Sequence, residues 1–72
     1  MNDSKAVAVY EMRRTILRLL KDWPLTPEVL RIACGYQRLY RPALAQLESE
    51  GLVRSIVVDG QTYLERVKFD AY

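Results

Sequence analysis

The chain has 72 residues, which gives room for one domain with a small core and too little for a catalytic domain with its own substrate pocket. Half of the residues are hydrophobic and 28% are charged, a composition typical of a folded globular protein. The net charge is only +2, but residues 13–41 hold seven basic side chains against two acidic ones, a local charge of +5. Such a cluster suits a face that binds a polyanion, and an ordinary solvated helix surface is the alternative.

The residue types exclude most catalytic chemistry. The chain has no histidine and a single cysteine, Cys34, so no internal disulfide, thiol metal site or Cys–His or Ser–His pair can form. The carboxylates lack metal-ligand spacing, and no glycine-rich loop is present to hold phosphate. We therefore expect no enzyme activity, no metal, no cofactor and no small-molecule ligand, and we interpret Cys34 as a small apolar residue at a helix end.

The N-terminal third predicts a long amphipathic helix over about 5–22. Asp3 or Ser4 can cap its start, and Pro24 ends it, because the residue before a proline is pushed out of helical geometry. Trp23 is expected to close the core at the end of the helix. The apolar residues at helical spacing are Val9, Met12, Ile16, Leu19, Leu20 and Trp23.

This N-terminal stretch reaches charged residues before any long apolar run forms, so no signal peptide is evident. No segment of the sequence approaches the roughly 20 apolar residues needed to span a membrane. Together with the lone cysteine, these features predict a cytoplasmic protein that does not bind membranes.

A second, short helix is predicted over about 27–34. Thr26 is a good N-cap, Pro27 suits the first helical position, and Gly35 can end the helix in a left-handed conformation. Its expected buried stripe consists of Val29, Leu30 and Ala33.

A third helix is predicted over about 39–50. Tyr40, Leu44 and Leu47 share one face at spacings of four and three, and Gly51 stops the helix. Pro42 must lie in the first turn, where its missing N–H needs no partner, so the helix starts between residues 37 and 41.

The pattern then changes from helical to alternating, which predicts a β-hairpin over about 52–67. Residues 52–58 are rich in β-branched side chains, and Asp59–Gly60 forms the strongest short turn signal, because both positions tolerate positive φ. A lone hairpin is barely stable in water, so this one must pack on the helices. The order is therefore helix, helix, turn, helix, hairpin, in one α+β domain spanning 1–72.

Residues 25–53, LTPEVLRIACGYQRLYRPALAQLESEGLV, resemble the helix-turn-helix of bacterial winged-helix transcriptional regulators of the PadR and MarR type. The likeness is clearest at ALAQLESEGLV and at the early proline of LYRPAL. The resemblance implies a three-helix winged helix-turn-helix fold with a C-terminal hairpin wing. It also implies a small regulator, from a prokaryote or its virus or mobile element, that binds double-stranded DNA.

In that family the third helix enters the major groove by its N-terminal part. The resemblance therefore places the DNA contacts chiefly at Gln37, Arg38 and Arg41, where Arg can read guanine and Gln adenine. Gln46 lies one turn deeper, and Arg54 is a candidate for phosphate contact from the strand. Arg31 of the second helix and three arginines of the first, Arg13, Arg14 and Arg18, are weaker candidates for phosphate contact.

Two features favour an alternative, a winged-helix module that binds protein and not nucleic acid. The wing tip carries Asp59 and no basic residue, whereas wings that grip DNA usually carry Arg or Lys. The apolar residues also exceed what a small core can bury, and such a surplus suits a surface that binds protein. A homodimer is one way to cover it. One filled core with some exposed apolar side chains explains the surplus equally well. The surplus residues are Val7, Tyr10, Leu17, Tyr63, Phe69 and Tyr72.

Overall fold

The computed structural model describes residues 2–35 and 38–67, with three helices followed by a two-stranded antiparallel hairpin. The elements are α1 (Asn2–Leu19), α2 (Pro27–Ala33), α3 (Tyr40–Ser49), β1 (Val53–Val58) and β2 (Gln61–Arg66). This is the α+β layout of a winged helix-turn-helix with a C-terminal wing, as expected from the sequence. Among the described helices, none combines the length and the apolar character needed to cross a membrane.

Helix α1 is shifted towards the N-terminus relative to its prediction. It begins at Asn2, so Asp3 and Ser4 lie within the helix and not before it, and it ends at Leu19 instead of near residue 22. The prediction for Trp23 is wrong: its side chain is 71% exposed. Because the helix has already ended four residues earlier, Trp23 no longer continues the buried face. That face consists of Val9, Met12, Ile16 and Leu20.

Helix α2 is capped as predicted. The Thr26 Oγ1 accepts a hydrogen bond from the Val29 N–H at 3.2 Å, and Pro27 is the first helical residue. The helix ends at Ala33, and Gly35 follows with a φ of +80°. The predicted buried stripe is wrong in part, because Val29 and Ala33 are exposed.

The α2 face that enters the core is formed by Leu30 and, just past the helix end, by Cys34. These two residues are four apart, so they lie above one another on one side of the helix. Cys34 is thus a buried apolar residue at a helix end, as interpreted from the sequence.

Helix α3 begins within the predicted window and carries Pro42 in its first turn. After its end, Gly51 adopts a φ of +77° and the Leu52 N–H donates to the Leu47 carbonyl at 2.9 Å, a hydrogen-bond pattern that closes many helices. The buried face is Tyr40, Ala43 and Leu47, whereas Leu44, predicted to be buried, is only half-buried. The face therefore centres on the small Ala43, and α1 packs against α3.

The wing forms as the turn signal predicts. β1 and β2 pair in register from Val53↔Arg66 to Val58↔Gln61, joined by Asp59 and Gly60, which both have positive φ. Its inner end is anchored in the core by Val53 and Leu64.

A contact that the sequence did not predict extends this sheet. Leu25, in the connection between α1 and α2, forms an isolated antiparallel bridge with Leu64 of β2. The two residues exchange both backbone hydrogen bonds, at 3.0 and 2.7 Å. The order across the sheet is therefore Leu25, β2, β1, with β1 at the outer edge.

The surplus of apolar residues inferred from the sequence is partly visible on the surface. Val7 and Tyr10 of α1 are exposed, whereas Leu17 and Tyr63 are half-buried. Phe69 and Tyr72 lie outside the described residues.

Candidate nucleic-acid interface

A shallow groove of about 620 Å³ runs between α2 and α3 on the surface of the helix-turn-helix. Arg31 of α2 and Arg41 of α3 line it, and so do two carboxylates, Glu28 and Glu48. We did not predict from the sequence that Glu28 would line this groove. Its position in the first turn of α2, next to the helix-turn-helix surface, was the only feature of the sequence that could have indicated it. The groove is thus a surface of mixed charge and not a purely basic one.

Tyr40 forms the floor of this groove and joins its two walls. The side chain is buried, and its hydroxyl donates to the Pro27 carbonyl at 3.4 Å, which links the start of α3 to the start of α2. Burial raises the pKa of Tyr40 above its ordinary value of 10.0, because the phenolate loses solvation.

Charged neighbours act on the Tyr40 pKa in opposite directions. Cys34 and Glu48 raise it further, whereas Arg31 and Arg41 lower it. Arg31 and Arg41 line the same groove as Tyr40. The fold has therefore brought together two of the predicted DNA-contacting residues that are ten positions apart in the chain.

The outward side of α3 begins with Arg38, which lies just before the helix, and continues through Arg41, Pro42 and Ala45. All four residues are exposed. Leu39, at the N-cap position, has a helical conformation, and its side chain makes no capping hydrogen bond. Two exposed arginines, Arg38 and Arg41, therefore lie at the start of α3. Gln37, the third residue predicted at this end, lies outside the described residues.

Gln46 occupies a different side of α3 from the one that was predicted. Its Oε1 accepts a hydrogen bond from Arg13 Nη1 of α1 at 3.1 Å, and with Pro42 and Tyr10 it lines a second groove between α1 and α3. Although its side chain is exposed, it is oriented towards α1 and away from the groove that holds Arg31 and Arg41. Gln46, predicted to lie one turn deeper in the DNA-contacting surface, is thus found on the flank of α3 that faces α1.

Arg54 forms an ion pair with Glu65 across the hairpin. Arg54 Nη2 lies 2.7 Å and Arg54 Nε 2.8 Å from Glu65 Oε2. The two residues are cross-strand partners in the β1–β2 register, so their pairing follows from the sheet itself. The positive charge of this candidate phosphate contact is therefore balanced within the wing.

The arginines of α1 divide into two kinds. Arg13 contacts both Gln46 and the Glu50 carboxylate and so joins two helices, whereas Arg14 and Arg18 are exposed. Within residues 2–35 and 38–67, no three Cys, Asp or Glu side chains come together as metal ligands would.

No family model, no curated protein and no solved structure matches this chain.

Proposed function

We propose that this chain is a small double-stranded-DNA-binding protein, acting as a transcriptional regulator, that presents the start of α3 to the major groove. The observation that supports this most is the joint exposure of Arg38 and Arg41 at the outward start of α3. Pro42 and Ala45 lie on the same side and are small, so the helix axis can approach the floor of the groove closely.

The arginines have two roles in this mechanism. Each guanidinium that meets a phosphate releases condensed counterions, which makes affinity fall steeply as salt rises. A guanidinium that reaches the edge of a guanine instead makes two parallel hydrogen bonds to that base. Because the other bases do not offer the same pair of acceptors, this contact selects for guanine. Arg31 and Arg41, on the two walls of the α2–α3 groove, suit phosphates on the rim, and Arg38 suits the groove floor.

The wing has a minor role in this proposal. Arg54 is paired with Glu65, and the tip residue Asp59 would repel phosphate. Affinity should therefore come almost entirely from the helix-turn-helix.

The direct test is a fluorescence-anisotropy titration of a pool of random-sequence DNA duplexes at several salt concentrations. The double variant Arg38→Ala/Arg41→Ala should bind roughly 10- to 100-fold more weakly at low salt, with the slope of log affinity against log salt reduced by about one, because only Arg41 of the two is placed at a phosphate. The matched control is Arg14→Ala/Arg18→Ala, which removes the same charge from exposed positions of α1 and should change the affinity little. Absence of binding at low salt, or equal losses in the two double variants, would refute the proposal.

A protein-binding module is the second candidate, and the carboxylates favour it. Glu28 and Glu48 lie in the same groove as Arg31 and Arg41, and a surface of mixed charge suits a protein partner better than a phosphate backbone. A photo-crosslinking amino acid at position 45, in the wall of that groove, separates the two candidates. Crosslinks to nucleic acid in cells support the first, and crosslinks to protein alone support the second.

A further inference from the structure

The outer edge of the hairpin is β1, and its free backbone groups can be identified. Leu64 of β2 exchanges its hydrogen bonds with Leu25, so its backbone groups point away from β1. Because bonded and non-bonded pairs alternate in an antiparallel ladder, the partner of Leu64, Ser55, directs its own N–H and C=O outwards, and so does Val57. In the described part of the chain, no backbone hydrogen bond reaches this edge.

Protein edge strands usually carry features that prevent pairing with another strand, such as lysine, proline, a bulge or an inward charge. β1, with the sequence VRSIVV, has none of these, and its register with β2 is unbroken over all six residues. Its single charge, Arg54, is already paired with Glu65 of the inner strand. Val57 and Val58 are 69% and 48% exposed, one on each face of the sheet. The edge of β1 therefore has no bulge, proline or lysine and exposes two valines.

We propose that two copies of this chain dimerise by antiparallel pairing of their β1 edges about a two-fold axis at Ile56, which forms a four-stranded sheet. In this register, Ser55 of each copy exchanges two hydrogen bonds with Val57 of the other. The proposal does not depend on DNA binding.

A second copy fits this edge because the register is self-complementary. When the two-fold axis passes through Ile56, Arg54 of each copy lies opposite Val58 of the other copy. The two Arg54 side chains are then four positions apart along the strands. A register centred on Ser55 would halve that separation, and it would also require Val53, which is buried in the core, to reach the second copy. The pairing also joins two apolar patches on one face of the sheet, each formed by Pro24, Ile56, Val58 and Tyr63.

The contact area of one strand pair is small, so the dimer should be weak, with a dissociation constant on the order of 100 µM. Sedimentation velocity from about 10 µM to about 1 mM protein, without DNA, therefore covers the transition. The wild-type chain should change reversibly from monomer to dimer over this range.

Two variants test the edge. Val57→Pro removes an outward N–H without touching a β1–β2 hydrogen bond, and Val57→Lys places a charge where natural edges often carry one. Each should weaken dimerisation roughly tenfold or more. The matched control is Thr62→Lys, which adds the same charge to the same face on the inner strand, opposite Val57, and should leave the dimer intact. If circular dichroism shows that Val57→Pro is unfolded, the Val57→Lys variant decides the question.

The register itself has a direct signature. In the dimer, Arg54 faces Val58 of the second copy with Cα atoms roughly 4.5 Å apart, whereas within one chain the same two residues are roughly 13 Å apart. A nuclear Overhauser effect between their Hα protons, in a mixture of labelled and unlabelled chains, should therefore appear at high concentration. Any of four results would overturn the proposal. The wild-type chain could stay monomeric to about 1 mM, or the dimer could be insensitive to both Val57 variants. The dimer could also be disrupted equally by Thr62→Lys, or it could lack this signal.

Discussion

The guanidinium of Arg13 on α1 forms an ion pair with the carboxylate of Glu50, the residue that ends α3. A second nitrogen of the same guanidinium donates to Gln46, one turn earlier on α3. The side chain of Arg13 is 23% exposed and that of Glu50 is 42% exposed, so the pair is only partly shielded from water. One side chain thus holds the first helix against the helix that we propose reads DNA.

Arg13→Met should therefore lower the free energy of unfolding by about 1 kcal/mol, since methionine keeps the apolar stem but loses both polar contacts. Arg14→Met, at an exposed position of the same helix, should change it by less than about 0.5 kcal/mol. Urea unfolding measures both, and the difference between the two variants should shrink at high salt. Equal losses in the two variants would show that the ion pair has no stabilising effect.

Leu47 and Leu44 of α3 should respond differently to truncation. Leu47 is fully buried, so Leu47→Ala should cost about 3 kcal/mol through lost burial and a residual cavity. Leu44 is half-buried at the α2–α3 groove, and Leu44→Ala should cost about 1 kcal/mol. Thermal or urea unfolding of the two variants measures this difference. Similar costs would mean that both leucines are buried, as the sequence pattern had predicted.

Tyr40 should make stability depend on alkaline pH. Because its pKa is raised in the folded chain, the unfolded chain ionises first, and the stabilisation that is complete below pH 10 is lost as the pH rises through the folded-state pKa. The free energy of unfolding should therefore fall above about pH 10. Tyr40→Phe has no proton to lose at this position and should show a shallower decline. Parallel declines in the wild type and this variant would contradict the burial of the phenol.

The exposed Trp23 gives a simple optical check on the connection between α1 and α2. Because most of its surface meets water, quenching of its fluorescence by acrylamide should be nearly as efficient in the folded chain as in urea. Trp23→Ala should also cost less than about 1 kcal/mol, far below the usual cost of removing a core tryptophan. Strong protection from the quencher would place the indole in the core or in an interface.

The sequence by itself determined the order of the elements and, apart from α1, most of their ends, because these depend on neighbouring residues. The Thr26 cap, the glycine that ends α2 and the Asp59–Gly60 turn are local choices of backbone conformation and hydrogen bonding, and all three formed as predicted. The position of Pro42 likewise limited where α3 could start.

The tertiary structure decided which side of each element is buried and which charges meet. Helical spacing admits several neighbouring faces, and only packing against α1 placed Ala43 rather than Leu44 at the centre of the α3 face. The same packing turned Gln46 towards Arg13. Likewise, only the pairing of residues far apart in the chain balanced Arg54 with Glu65 and left β1 as an open edge, because sheet order and ion pairs are non-local.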